Sequence, residues 1–132
     1  MDFTVYIPSR IEYLRDIEKL IDQVTEEYNI DERIYGRLSI ACMELVRNSI
    51  IHGNRLDPEK EVKVSIRVTN DKLLIRSKDQ GTGFDYDNLP DPTSPENLEK
   101  TDGRGIFLIR NLSDKLTFSK NGRVAKLEFN LK

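Results

Sequence analysis

The chain has 132 residues, a length that fits one domain and is too short for two ordinary ones. Its 21 Lys and Arg against 23 Asp and Glu give a net charge of -2, which offers no electrostatic basis for direct nucleic-acid binding. No apolar stretch approaches the roughly 20 residues of a membrane span, and the N-terminus shows no signal-peptide pattern, so a cytoplasmic protein without a membrane contact is expected. The one cysteine, Cys42, lies in an apolar helical run and is expected to be a buried, reduced thiol.

The N-terminal part of the sequence predicts one strand followed by two helices. Apolar and polar residues alternate over positions 3–7, which is the period of a strand. Ser9 and Glu12 have the spacing of a capping box, so the first helix is expected to begin at Ser9. A second helix is expected from about Asp31, with Gly53 placed to end it.

The C-terminal part predicts two hairpins separated by a long loop and a short helix. Two β-rich runs meet at Asn70-Asp71 and read as the first hairpin, and Asn121-Gly122 is a two-residue turn signal for the second. Periodicity stops from about 84 to 101, and the apolar run 105–112 predicts a helix. This order of elements predicts an α+β fold, a two-layer sandwich with helices on one face of a mostly antiparallel mixed sheet.

Within the second helix, Glu44, Asn48 and His52 recur every four residues and so share one face. An amide oxygen is a suitable ligand for Mg²⁺, and a neighbouring carboxylate could accept a proton or position a nucleophile. The alternative is a polar helix face turned to water. His52 fits a helix C-terminus, where a histidine interacts favourably with the helix dipole.

A second stretch, Asp79-Gln80-Gly81-Thr82-Gly83-Phe84, follows a predicted strand. Two glycines with one residue between them let the backbone turn sharply and approach a ligand closely. An aspartate at the end of a strand could accept a hydrogen bond from an amino group such as that of adenine. The alternative is a plain glycine turn.

A third stretch, Asp102-Gly103-Arg104-Gly105-Ile106-Phe107, precedes the predicted helix. A helix N-terminus with free backbone amides is a natural anion site, and an arginine there suits a phosphate. The alternative is a flexible join between loop and helix. Neither a P-loop nor a dinucleotide-binding fingerprint occurs in the chain, so the standard nucleotide-binding folds are excluded.

In this order, the three stretches resemble the motifs of the GHKL (histidine kinase-like) ATPase superfamily. "ELVRNSIIHGN" is similar to its N box, "DQGTGF" and "DGRGIFLI" are similar to its two glycine boxes, and the loop at about 84–101 is similar to its ATP lid. The sequence "GRGIFLIRNLSD" is typical of the bacterial anti-sigma-factor serine/threonine kinases. The resemblance covers essentially the whole chain and implies one ATP-binding domain of the Bergerat fold over residues 1–132.

The resemblance also implies roles for individual residues. Glu44 would be the base or orienting carboxylate for phosphoryl transfer, and Asn48 would be the Mg²⁺ ligand. Asp79 would accept a hydrogen bond from the adenine amino group. The other implied ATP-binding residues let the base and the phosphates approach the backbone closely: Gly81, Gly83, Gly103, Arg104 and Gly105.

The function that the resemblance implies is an ATP-dependent serine/threonine kinase that acts as an anti-sigma factor. Such a kinase sequesters a sigma factor, phosphorylates a small anti-anti-sigma protein of the STAS type and commonly forms a homodimer. One departure is Ala125, where this family often has a threonine near the nucleotide, and it leaves open a nucleotide-dependent binding module with little or no kinase activity. A sensor histidine kinase fits less well because no dimerising helix with a substrate histidine is present.

Overall fold

The computed structural model describes residues 2–83 and 101–131. Its strands form one sheet in the order β1-β2-β3-β5-β4, and all four pairings between them are antiparallel. The predicted lid lies outside the described residues, apart from Thr101. The strands are β1 (Asp2–Pro8), β2 (Glu61–Val68), β3 (Lys72–Lys78), β4 (Lys115–Ser119) and β5 (Val124–Asn130).

Three α-helices pack against one face of this sheet: α1 (Leu14–Glu27), α2 (Glu32–Asn48) and α3 (Thr101–Leu112). The predicted two-layer α+β sandwich is therefore confirmed. Within the described ranges, no helix is long and apolar enough to cross a membrane.

The core lies between the two layers because each strand turns alternate side chains toward the helices. Each fully buried aliphatic or aromatic side chain contributes about 1.5–3 kcal/mol to the stability of the fold. Both layers contribute large, fully buried side chains, among them Ile17, Ile21, Leu38, Leu45, Ile66, Leu73, Ile75, Ile109, Leu127 and Phe129.

The start of the first helix differs from the prediction. Ser9 does not cap α1, because a 3-10 turn at Ile11–Tyr13 precedes that helix. The N-cap residue of this turn is Arg10, whose side chain makes no capping hydrogen bond. Ser9 is instead buried, and its Oγ donates to the carbonyl oxygen of Lys60 at 2.6 Å. A long-range hydrogen bond therefore takes the hydroxyl that the local pattern assigned to a cap.

The second helix begins as predicted and ends in a different geometry. The side chain of Asp31 accepts a hydrogen bond from the N–H of Arg33 at 2.8 Å and caps α2. After Asn48 the helix widens into a π-helical turn, Ser49–Gly53, so Gly53 does end it. Because a π turn contains more residues than an α turn, His52 moves off the row that Glu44 and Asn48 share.

The first predicted hairpin is confirmed, since Val68 pairs with Leu73 on either side of the Asn70-Asp71 turn. The second predicted hairpin is also present, but the prediction of a two-residue turn at Asn121-Gly122 is wrong. Ser119 pairs with Val124, which leaves a four-residue loop. Three of these loop residues have positive φ angles, and the loop closes with a hydrogen bond from the Arg123 N–H to the Lys120 carbonyl oxygen.

Candidate active site

A cavity of about 430 Å³ lies between the end of α2, α3 and the strands β3 to β5. This volume is within the range of small-molecule sites, and the mostly apolar wall is also typical of them. The apolar part of the wall includes Leu45, Ile106, Ile109, Phe118 and Ala125, and the polar part consists of Asn48, Ser49, His52, Arg55 and Asp79.

Asp79 lies in this wall, directly after β3. Its N–H donates to the carbonyl oxygen of Arg123 at 2.9 Å, and its Oδ1 accepts the N–H of Gly81 at 2.8 Å. The residue is 6% exposed. Burial raises the pKa of the carboxyl group above its ordinary value, and this outweighs the Gly81 N–H and the charges of Arg123 and Lys60, which lower it.

Gly53 and Gly81 let the end of the π turn and the loop after β3 meet without side chains between them. A Cβ atom on Gly53 would overlap the carboxylate of Asp79, and one on Gly81 would overlap the carbonyl oxygen of Gly53. The predicted close approach of the backbone at Gly81 is therefore an approach to another part of this chain.

Gly83 serves a similar purpose at the opposite side of the cavity. Its φ of +87° is unfavourable for other residues, and a Cβ atom there would overlap the carbonyl oxygen of Asn121 in the last hairpin. The two glycines after Asp79 thus fix that loop against α2 on one side and the β4–β5 loop on the other.

Glu44, Asn48 and Gly105 also lie together. A Cβ atom on Gly105 would lie 3.2 Å from Oδ1 of Asn48 and 3.5 Å from Oε2 of Glu44. Helix α3 therefore packs closely on the polar row of α2 because Gly105 has no side chain. Asn48 lines the cavity, and Glu44 lies beside it.

The second glycine-rich stretch does not precede its helix, as predicted, but lies inside it. α3 begins at Thr101, so Gly103 falls in its first turn and Gly105 in its second. Only the first four backbone amides of a helix lack an internal acceptor, so the amide of Gly103 is among them and that of Gly105 is not. The side chain of Arg104 lies outside the described part of the structure.

The residues present fit a magnesium ion that is shared with a phosphate ligand. Among the described residues, no group of three or more His, Cys, Asp or Glu side chains could hold a metal ion. Asn48 supplies one amide oxygen, with the carboxylate of Glu44 nearby. Mg²⁺ commonly takes one or two oxygens from the protein and the rest from phosphates and water, so this donor set suits it.

Ser49 also lines the cavity, although no sequence motif predicts a role for it. Of the described lining residues, Ser49 and Asp79 are the two with buried polar side chains. The Ser49 Oγ lies 2.7 Å from the Oγ of Ser77, which is adjacent in register to Ala125. A serine inside an apolar helical run is the only sequence feature that could have indicated Ser49. Its contact with the Ser77 hydroxyl depends on the tertiary structure and cannot be read from the sequence.

Asn54 was also missed, although it directly follows the π turn. Its side chain is 1% exposed. Its Oδ1 accepts the N–H of Gln80 at 2.7 Å, while its Nδ2 donates to Ser9 Oγ at 2.8 Å and to the Glu61 carbonyl oxygen at 3.0 Å. One amide thereby connects the loop that carries Asp79 to β2 and to the residue before the first helix.

The fold and the order of the three motifs correspond to one class of protein, the histidine kinase-like ATPase domains. The family model described as "Histidine kinase-like ATPase domain" matches residues 7–129, and the chain belongs to this family.

Within this family, the chain is similar to bacterial serine-protein kinases and anti-sigma factors. The chain is 27% identical over 117 residues to the serine-protein kinase RsbW of Listeria innocua, covering 84% of this chain and 74% of the relative. It is 26% identical over 126 residues to RsbW of Bacillus subtilis, covering 89% and 78%. It is also 28% identical over 107 residues to the anti-sigma F factor of Oceanobacillus iheyensis, covering 79% and 65%.

Replacing Asn54 by alanine should destabilise the fold. The change removes all three hydrogen bonds of a buried amide and leaves their partners unpaired, which costs about 1–3 kcal/mol in the free energy of unfolding. Urea denaturation of both proteins measures this loss. Asn111→Ala is the matched control, because the Asn111 side chain is exposed and bonds within its own helix. Equal stability of Asn54→Ala and wild type would contradict the role given to this amide.

Asp79→Asn should stabilise the fold at neutral pH. Because the pKa of folded Asp79 is raised, the folded protein keeps a proton above pH ~3.9 that the unfolded chain has lost, and stability falls as the pH rises through that window. Asparagine has no such loss. Its advantage should be complete above the raised pKa, shrink as the pH falls through the window and disappear below pH ~3.9, as urea denaturation at a series of pH values would measure. A difference that does not change with pH would contradict the effect.

Proposed function

We propose that this protein is an ATP-dependent serine/threonine kinase that also acts as an anti-sigma factor. The single observation that carries the proposal is one cavity with Asp79 in its buried wall and Asn48 at its edge, beside Glu44. In this proposal, Asp79 would bind the base, and Asn48 and Glu44 would act on the phosphates. The membership of the family and the names of the curated relatives support the same reading.

The buried polar groups suit the edge of an adenine ring. Adenine presents an amino group that donates and a ring nitrogen that accepts. Asp79, when ionised, only accepts, and the Ser49 hydroxyl can donate. The Ser49 and Ser77 hydroxyls lie 2.7 Å apart, and either one can be the donor. When Ser77 donates, the Ser49 proton is directed to the Leu45 carbonyl oxygen at 3.4 Å or to a base in the cavity.

The other end of the site suits phosphoryl transfer, which needs mainly positioning and neutralisation of charge. Asn48 would hold Mg²⁺ through its amide oxygen, and the ion would supply positive charge at the phosphates. Glu44 would accept the proton of the attacking hydroxyl or orient that hydroxyl. The backbone at Gly103 and the guanidinium of Arg104 would contact the phosphates, with Gly105 allowing close packing.

The protein partners of this reaction follow from the same proposal. The acceptor would be a serine or threonine on a small anti-anti-sigma protein of the STAS type, and the sequestered protein would be a sigma factor. The active form would be a cytoplasmic homodimer. A nucleotide-dependent binding module without transfer is the alternative that Ala125 favours, since this residue supplies no hydroxyl to the cavity wall.

Glu44→Ala should slow phosphoryl transfer by about 10²- to 10⁴-fold, which is the usual contribution of a positioned base. Its affinity for ATP should change little, because Glu44 does not line the cavity. The measurement is transfer from γ-labelled ATP to an anti-anti-sigma protein that carries an acceptor serine. Glu32→Ala, an exposed change in the first turn of the same helix, is the matched control.

Two results of this assay would be decisive against parts of the proposal. If wild type binds ATP and labels no protein, the chain is a binding module and the kinase assignment is wrong. If Glu44→Ala labels the acceptor as fast as wild type, another group acts as the base.

Asp79→Asn should weaken ATP binding by about 10- to 100-fold, because the amide NH₂ would oppose the adenine amino group in a buried site. Calorimetric titration of both proteins measures this, with the exposed Asp16→Asn as a control. Purine riboside triphosphate, which lacks the amino group, should bind wild type more weakly than ATP. The Asp79→Asn protein should not distinguish the two nucleotides, and a preserved preference would refute the assignment of Asp79.

A further inference from the structure

The face of the sheet that the helices leave uncovered is basic. Its outward positions carry seven Lys and Arg residues and three acidic ones, a net charge of +4. Because the chain as a whole has a net charge of -2, all other positions together carry -6. The cations of this basic sheet face are Lys63, Arg67, Lys72, Arg76, Lys78, Lys115 and Lys126, and its anions are Asp2, Glu61 and Glu128.

Two pairs of cations lie directly opposite each other across neighbouring strands. Lys63 is the register partner of Lys78, and Arg76 is the register partner of Lys126. Side chains opposite each other in antiparallel strands have Cβ atoms about 4.5–5.5 Å apart, and like charges in such positions destabilise the sheet. The fold itself therefore gains nothing from this arrangement.

Two of the three carboxylates on the face pair with cations, and one of these cations, Lys126, belongs to an opposed pair. Asp2 pairs with Arg67 at 2.9 Å, and Glu128 is shared between Lys72 at 3.6 Å and Lys126 at 3.7 Å. Within the described ranges, no carboxylate pairs with Lys63, Arg76 or Lys78. The Lys63 ammonium lies 5.8 Å from the ring centroid of Tyr6, which is itself 61% exposed.

We propose that the basic sheet face is a docking surface for an acidic protein, which presents Asp and Glu side chains to Lys63, Arg76, Lys78 and Lys126. The carboxylates of the partner separate the like-charged pairs and remove their repulsion. This surface lies on the opposite side of the sheet from the cavity, so docking leaves the nucleotide site accessible. The proposal does not depend on the kinase activity.

An acidic protein suits this face better than a nucleic acid or a second copy of the chain. Proteins that bind single strands stack bases on several aromatic side chains, and Tyr6 is the one aromatic residue on the outward side of the described strands. A second copy would bring one +4 surface against another.

The experiment compares Arg76→Glu/Lys78→Glu with wild type in binding to poly-L-glutamate at low salt and near 1 M salt, where the Debye length is about 3 Å. The affinity of the double variant for poly-L-glutamate should be lower by a factor of about ten or more, as expected for the loss of two charge contacts. Wild-type binding should disappear at high salt. The control Lys19→Glu, an exposed change on α1, should bind like wild type after the same kind of charge reversal.

A stability measurement separates this role from a structural one. Each reversed residue now faces a cation, so the Tm of the double variant should equal or exceed that of wild type while binding is lost. Arg76→Gln/Lys78→Gln provides a neutral second variant with the same expected loss. The proposal fails if Lys19→Glu weakens binding equally, if polyuridylate binds more tightly than poly-L-glutamate, or if the double variant changes self-association instead.

Discussion

The site depends on the contact between the π turn and the loop after β3. Gly53 lies against the carboxylate of Asp79, and Gly81 lies against the carbonyl oxygen of Gly53, at separations that no side chain could enter. The widened end of α2 brings Gly53 to that position, and the hydrogen bonds of Asn54 hold the loop there. The position of Asp79 relative to Asn48 is therefore set by backbone packing, without help from long side chains.

Buried polar groups connect the elements on either side of this contact. Ser9, Asn54 and the backbone of β2 form a connected network, and no buried side-chain polar atom among the described residues lacks a partner. A network of this kind stabilises a fold only when every member is satisfied. This network also holds the loop at the cavity, because the same Asn54 amide accepts the N–H of Gln80, the residue between Asp79 and Gly81.

Local patterns sufficed wherever neighbouring residues decide the geometry. Asp31 caps α2 and Asn70-Asp71 turns the first hairpin as the sequence indicates. The patterns failed where distant residues compete: the hydroxyl of Ser9 bonds to Lys60, and Gly105 continues α3 because it packs on α2. Motif order placed Asn48 and Asp79 at one site, and both line the cavity, whereas Ser49 and Asn54 became visible only through their three-dimensional contacts.

The molecule places its two costly electrostatic arrangements on opposite sides of the sheet. On the helical side, a buried carboxylate with a raised pKa stays beside an apolar cavity, where asparagine would cost the fold less. On the open side, Lys63 faces Lys78, where one acidic residue would improve the pairing. Natural sequences retain such local losses where they serve binding. Since the sheet separates the two, a nucleotide in the cavity would not compete with the proposed acidic partner.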